Sequence, residues 1–138
     1  MATLSKANLE IDLLNGRPNH AKVTATVKVN LDQFDEFLLS GGLHLDLQSS
    51  VLGGGPIGDI LRPNVQENDL LFSFPNQKIT AAGSYTFSKV VPRRLLDEDQ
   101  SSFDDRDEIL TSFSLVSKNP LFPLNTISIK SPIVTGKF

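Results

Sequence analysis

Strict alternation of apolar and polar residues between Ala21 and Leu31 is the feature that most constrains the fold of this chain. Lysine, threonine and asparagine alternate there with six apolar residues: Ala21, Val23, Ala25, Val27, Val29 and Leu31. Because successive side chains of a β-strand point to opposite faces of its sheet, this pattern predicts a strand with one buried face and one face in water. The β-branched valines and threonines favour the same structure.

Shorter segments with the same period recur along the chain, separated by glycine, proline and asparagine. We predict further strands over 9–13, 43–47, 72–74, 79–87, 109–115 and 127–129, with a short final segment at 133–138. Segments 53–58 and 91–107 are predicted loops. Seven or eight short strands joined by turns are typical of an all-β antiparallel β-sandwich, and a small β-barrel is the alternative. A chain of 138 residues is expected to form one domain over 1–138.

The phase of these strands also predicts the core. Eight side chains are expected to be largely buried: Val23, Val27, Leu45, Phe72, Tyr85, Phe87, Phe113 and Ile127. A chain of this length buries about two thirds of its unfolded surface, which is enough for a core without metals or disulfides.

One segment, 31–40, departs from the period of two. Phe34, Phe37 and Leu38 stand at positions i, i+3 and i+4, which is helical spacing, and Asp32 is a candidate N-cap. The spacing predicts one short helical insert of one or two turns, closed by the glycine pair at 41–42. The alternative is a loop whose two phenylalanines plug the end of the sandwich.

Composition removes several classes of function. The chain has no cysteine, which excludes thiol catalysis, disulfides and thiolate metal sites, and its two histidines are too few for an ordinary structural zinc site. A formal net charge of −3 argues against a nucleic-acid partner. No positively charged region precedes an apolar run at the amino terminus, and no apolar stretch approaches twenty residues. We therefore expect no signal peptide and no transmembrane segment, and a soluble protein that is cytoplasmic by default.

Two further patterns weigh against catalysis and against an organic cofactor. Gly53, Gly55 and Gly58 match the bare pattern G-x-G-x-x-G, but Pro56 interrupts it and no βαβ unit surrounds it. No G-x-S-x-G motif is present, and neither histidine has a recognisable catalytic setting. The enzymatic alternative is a small hydrolase that uses a carboxylate pair from the acidic segment 97–108 together with His20 or His44.

The acidic stretch from Asp97 to Glu108 is the strongest local anomaly. It holds seven of the sixteen acidic residues and a single base, Arg106, so its formal charge is −6. Like charges at this density repel one another, and a folded segment needs solvent, counter-charge or a cation to hold them.

The spacing of oxygen-bearing groups in this stretch resembles the calcium loop of an EF-hand. With Asp97 as position 1, candidate ligands fall at positions 3, 5, 7, 9 and 12: Asp99, Ser101, the carbonyl of Phe103, Asp105 and Glu108. Ser102 stands where an EF-hand has its bend glycine, and the flanks are not two helices. The resemblance therefore implies a weak Ca²⁺ site in a loop between strands, and the alternative is a solvated acidic loop.

These observations favour a non-catalytic binding or assembly module whose specificity lies on loops at one end of the sandwich. Its partner is a ligand or a protein that the sequence does not identify. A third hypothesis is a subunit of a larger particle or homo-oligomer, in which segment 131–138 adds a strand to a neighbour's sheet.

Overall fold

A computed structural model describes residues 2–14, 16, 18–42, 44–54, 68–96, 107–117 and 126–136. Within these residues the chain forms one α-helix, one 3₁₀ turn at Arg93–Leu95, and nine strands. The helix is α1 (Gln33–Ser40). The strands are β1 (Thr3–Leu13), β2 (His20–Asn30), β3 (Leu45–Gly54), β4 (Asn68–Ser73), β5 (Gln77–Ile79), β6 (Gly83–Pro92), β7 (Asp107–Ser117), β8 (Ile127–Lys130) and β9 (Val134–Gly136).

The strands form two antiparallel sheets. The smaller has the order β1-β2-β6, and the larger has the order β4-β3-β7-β8, with β5 also pairing with β3 and β9 also pairing with β7. The predicted all-β sandwich with one short helical insert is confirmed, and the alternative of a closed barrel is wrong. The described strands keep two separate sheets because each sheet places one apolar face against the other.

Strand β2 shows the clearest agreement with the sequence. Its five alternating apolar side chains, from Ala21 to Val29, are all fully buried. Strands β1 and β6 pair along both edges of β2, and the larger sheet covers its apolar face. Leu31 lies just beyond the strand and is half-buried.

The core lies between the two sheets. Five of the eight predicted core side chains are buried there, and Phe72, Tyr85 and Ile127 are only half-buried. Phe87 of the smaller sheet contacts Phe113 of the larger one, with their ring centroids 6.2 Å apart. The prediction overestimated side-chain burial for strands at sheet edges, where a neighbouring strand covers only one side.

The predicted strand over 79–87 is two strands in different sheets. Strand β5 ends at Ile79 and pairs with β3, whereas β6 begins at Gly83 and pairs with β2. Gly83 has a φ of +147°, a conformation that only glycine adopts readily, so the chain crosses between sheets there. Ala81, predicted to line a strand, is exposed in this crossing.

The predicted loop boundaries also shift by a few residues. Gly53 and Gly54 complete β3, Val91 and Pro92 complete β6, and Asp107 begins β7. Each of these residues pairs with a neighbouring strand, and the ladder of backbone hydrogen bonds outweighs the low strand propensity of glycine and proline.

The final strand pairs inside its own sheet. Strand β9 is antiparallel to β7, so residues 134–136 do not have the free role that the strand-addition hypothesis required. Between β8 and β9, Ser131 bonds to Thr111 of β7 in place of a regular pair of strand residues. The Ser131 Oγ accepts a hydrogen bond from the Thr111 N–H at 3.0 Å, and the Ser131 N–H donates to the Thr111 carbonyl at 2.9 Å. Ser131 and Thr111 are both buried.

No helix in the described part of the chain is long and apolar enough to cross a membrane.

Candidate binding site

The two ends of the sandwich carry different connections. At one end, which we call the helix end, α1 joins β2 to β3, and a short turn joins β5 to β6. Leu45, at the start of β3, pairs there with Ile79. At the opposite end, His20 pairs with Pro92, and the chain leaves the sheets at Gly54 and at Pro92, the second time through the 3₁₀ turn that ends before Leu96.

Helix α1 is held at both of its ends. Asp32 accepts a hydrogen bond from the Asp35 N–H at 2.8 Å, and the Asp35 carboxylate accepts one from the Asp32 N–H at 3.0 Å. This reciprocal capping box explains why Asp35 is buried although it is acidic. At the other end, the Gly41 N–H donates to the carbonyls of Phe37 and Leu38.

Hydrogen bonds also set the ionisation of the cap. The amino terminus of the chain and then the Asp35 N–H donate to the Asp32 side chain, and these bonds lower its pKa from 3.8 to about 2.

The helix buries a face that the sequence did not predict. Leu38 and Asp35 lie on the buried face, whereas Phe34 and Phe37 are 63% and 69% exposed. The alternative in which the two phenylalanines plug the sandwich is therefore wrong. The helix turns Asp35 and Leu38 toward the rest of the protein, and this orientation places the phenylalanines on the outer side.

A concavity of about 370 Å³ opens beside α1 at the helix end. The residues that line it come from α1 and its C-terminal turn, from the approach to β3, and from β5 and the turn after it: Glu36, Leu39, Ser40, Gly42, His44, Lys78, Ile79, Thr80 and Ala81. Its lining is therefore a mixture of aliphatic and polar side chains.

Three ionisable side chains around this concavity have no partner among the residues that the structure describes. Among the described residues, Glu36, His44 and Lys78 form no side-chain hydrogen bond or ion pair. The turn beside them is braced instead by the Tyr85 hydroxyl, which donates to the Ala81 carbonyl at 2.6 Å. The polar groups are thus available to a ligand while the backbone around them is held.

The carboxylates of the hydrolase alternative belong to segment 97–108, whose side chains lie outside the described residues. Ser40 donates its hydroxyl hydrogen to the Phe37 carbonyl at 2.8 Å, and no hydrogen bond within the described residues joins His44 to Ser40 or Glu36. His20 is half-buried at the opposite end, where its backbone pairs with Pro92. Nucleophilic catalysis needs a nucleophile, base and orienting acid in contact, and hydrogen bonds join no such set within the described residues. The hydrolase alternative itself stays a prediction.

The predicted calcium ligands fall largely outside the described residues. Asp97, Asp99, Ser101, Phe103 and Asp105 belong to segment 97–106, and Glu108 is described only as a backbone position in β7, paired with Gly54 and Thr135. No group of three or more acidic or histidine side chains suited to a metal occurs within the described residues. Gly55 and Gly58, two of the three patterned glycines, also lie outside them.

Sequence reasoning missed the concavity itself. Glu36 and Lys78 are 42 positions apart, and no motif joins them. The pairing of β5 with β3 brings their segments together, and the sequence carried no signal for that pairing because β5 has only three residues.

Comparison with known proteins defines the class of fold. No family model matches the chain, and no curated protein sequence matches it. A solved structure with a similar fold is a bacterial adhesin from Mobiluncus mulieris that contains intramolecular disulfide, isopeptide and ester bond cross-links. Its TM-score is 0.50 at 10% sequence identity, and the match covers 95% of this chain and 49% of that one. The chain thus spans about half the length of the adhesin structure, and at this identity the likeness concerns the fold alone.

Proposed function

We propose that the chain is a non-catalytic binding module that contacts a partner protein through α1. The observation that carries this proposal is the exposure of Phe34 and Phe37 on one capped helix. Residues three apart on a helix are neighbours, so Phe34 and Phe37 share one exposed side of α1, which we call the aromatic surface. Paired exposed aromatic side chains are typical of interaction sites, where they supply much of the contact energy.

The held geometry of α1 supports a binding role. Both ends of the helix are closed by hydrogen bonds, from the capping box at Asp32 to the Gly41 N–H. A surface that is ordered before binding loses less conformational entropy when a partner arrives. The module can therefore present its aromatic surface without refolding.

Charge favours one kind of partner. Asp32 and Glu36 are exposed on the same helix as the aromatic surface, and the last turn of α1 has no basic residue. A second copy of this helix would bring like charges together, whereas a partner with an apolar pocket rimmed by lysine or arginine would be complementary. We therefore assign the aromatic surface to a basic, apolar segment of another protein.

Selection from a random peptide library displayed on phage tests this assignment. The protein carrying F34S and F37S serves as the counter-selection target, and V90S, which changes an exposed valine on β6, is the matched control. We expect enriched peptides with basic residues beside apolar ones. They should bind the wild type and V90S equally and the F34S/F37S protein at least about tenfold more weakly.

Two outcomes would overturn the proposal. One is enrichment of peptides that bind the F34S/F37S protein as well as the wild type, or a failure to enrich any peptide. The other is a dimer in sedimentation equilibrium that F34S/F37S converts to a monomer, because the occupant would then be a second copy of the chain.

Calcium binding by the acidic segment stands as a second proposal. Seven acidic residues within 97–108 repel one another, and a divalent cation held by oxygen ligands would offset that repulsion. The candidate ligands are Asp97, Asp99, Ser101, the Phe103 carbonyl, Asp105 and Glu108. Such an ion would stabilise the end of the sandwich opposite to α1 and would leave the aromatic surface unchanged.

A further inference from the structure

We propose that the concavity beside α1 binds a small aliphatic zwitterion, a molecule of amino-acid size with one ammonium and one carboxylate group. This inference is independent of the partner assigned to the aromatic surface, because Phe34 and Phe37 are not among the residues that line the concavity. It rests on the two opposite charges, the apolar lining and the braced backbone of the concavity.

The helix side of the concavity favours a positive group. Glu36 and Ser40 line it from α1; Glu36 lies in the first turn of the helix and Ser40 is its last residue. The carbonyl groups at a helix C-terminus carry partial negative charge, and α1 has no basic residue in its last turn to offset it. A ligand ammonium beside Glu36 would meet its carboxylate, and the negative end of the helix lies about one turn further along α1.

The strand side favours a negative group. Lys78 belongs to β5 and His44 lies just before β3, and both line the same concavity. An ammonium group such as that of lysine attracts a carboxylate, and a histidine can donate a hydrogen bond to it. The two sides of the concavity thus carry complementary charges for the two ends of one zwitterion.

Within the described residues these charges are not satisfied. No ion pair joins Glu36 to Lys78 there, and neither side chain bonds to another described residue. A ligand that bridges them would complete an interaction that the described residues leave open, and this favours a zwitterion over a molecule with one charge.

The size and lining of the concavity limit the body of the ligand. Its volume of about 370 Å³ lies near the lower end of the range for small-molecule sites. Leu39, Ile79 and Ala81 supply aliphatic surface to the same concavity as the charged groups. An amino acid with a short branched side chain matches both properties.

The concavity is formed before any ligand arrives. The Tyr85 hydroxyl holds the Ala81 carbonyl at 2.6 Å, and the Gly42 N–H donates to the Leu39 carbonyl at 3.3 Å. These bonds fix the turn and the end of α1 that line opposite parts of the site. Ligand binding therefore causes little loss of conformational entropy in the backbone.

Titration followed by ¹⁵N-labelled NMR tests the proposal with three related compounds. The probes are L-leucine, leucinamide, which lacks the carboxylate, and 4-methylpentanoate, which lacks the ammonium. We expect leucine to bind with a Kd on the order of 1 mM and to shift the amide signals of residues 36–42 and 78–81. Each analogue should bind at least about tenfold more weakly, since one charged contact is lost.

Substitutions at the two charges distinguish this site from weak surface binding. K78Q should weaken leucine binding about tenfold and leave leucinamide binding unchanged, because leucinamide has no carboxylate for Lys78. E36Q should also weaken leucine binding about tenfold, but it should leave the binding of 4-methylpentanoate unchanged, because that compound has no ammonium for Glu36. K89Q and E10Q change an exposed lysine and glutamate elsewhere and should have no effect. A81F, which fills the concavity while leaving both charges, should abolish binding.

Clear results would overturn the inference. Absence of saturable shifts with 10 mM leucine, equal affinity for all three compounds, or unchanged leucine binding by both K78Q and E36Q would each do so. A melting temperature equal to that of the wild type checks that each variant is folded. Peptide binding by the aromatic surface is measured separately, so either proposal can fail without the other.

Discussion

Strand β2 and helix α1 both carry a regular apolar pattern, but the structure buries the apolar side chains of β2 and exposes most of those in the pattern of α1. All five alternating apolar side chains of β2 are buried, whereas two of the three apolar side chains at helical spacing in α1 lie in solvent. Strand β2 has a neighbour on each edge and a sheet across its apolar face. Helix α1 lies at the end of the sandwich, where the protein covers only the side that contains Asp35 and Leu38. An apolar pattern therefore predicts burial only where the fold supplies an opposing surface, and apolar residues left without one become candidates for contact with a partner.

The largest expected effect tests the buried side of this comparison. Phe113 is fully buried and contacts Phe87 across the two sheets. F113A should lower the free energy of unfolding by about 3–5 kcal/mol, because it removes a large side chain from a packed core. Urea denaturation measures the change, with F37A as the control, which should change stability by less than about 0.5 kcal/mol. A loss below about 1 kcal/mol for F113A, or a similar loss for both variants, would contradict the contrast between a buried Phe113 and an exposed Phe37.

The burial of Ser131 is predicted neither by the strand period of two nor by helical spacing. Its Oγ accepts the Thr111 N–H where β8 has ended and β9 has not begun. S131A should cost about 1–3 kcal/mol, because a buried backbone donor would be left without an acceptor. S128A, which removes an exposed hydroxyl bonded to Ser114, is the control and should cost less than about 0.5 kcal/mol. Equal losses in thermal unfolding would mean that Ser131 is no more important than a surface serine.

The sequence predicted the elements of this fold better than their arrangement. Alternation located β2 and most other strands, because the period of side chains reflects local backbone geometry. The same alternation wrongly predicted β5 and β6 as a single strand, because Ala81 and Gly83 continue the apolar pattern through a turn that crosses between sheets. The concavity could not be predicted, since it depends on the contact between α1 and a three-residue strand that lies far away in sequence.

The acidic segment tests whether the opposite end of the sandwich is stabilised differently from the helix end. If Asp97 and Asp99 bind calcium with a Kd on the order of 10⁻⁴ to 10⁻³ M, then 1 mM calcium should stabilise the protein by about 0.4–1.4 kcal/mol. Magnesium should help less, because it keeps its water shell. The double variant D97N/D99N should lose the calcium effect and gain slight stability without calcium, since two repelling charges are removed. A melting temperature that does not change with calcium would leave the segment as solvated surface.

The smallest expected effect concerns the N-cap of α1. Hydrogen bonds from the amino terminus and from the Asp35 N–H lower the pKa of Asp32 to about 2, so its charged form is favoured in the folded state. This contribution to stability is complete above the ordinary pKa of 3.8 and is lost as the pH falls through about 2. D32N keeps an N-cap side chain but cannot ionise, so its stability should fall less steeply than that of the wild type between pH 4 and pH 2. Thermal unfolding across this range measures the difference, and E10Q controls for the loss of an exposed carboxylate. Parallel curves for D32N and the wild type would show that the charge of Asp32 does not hold the helix.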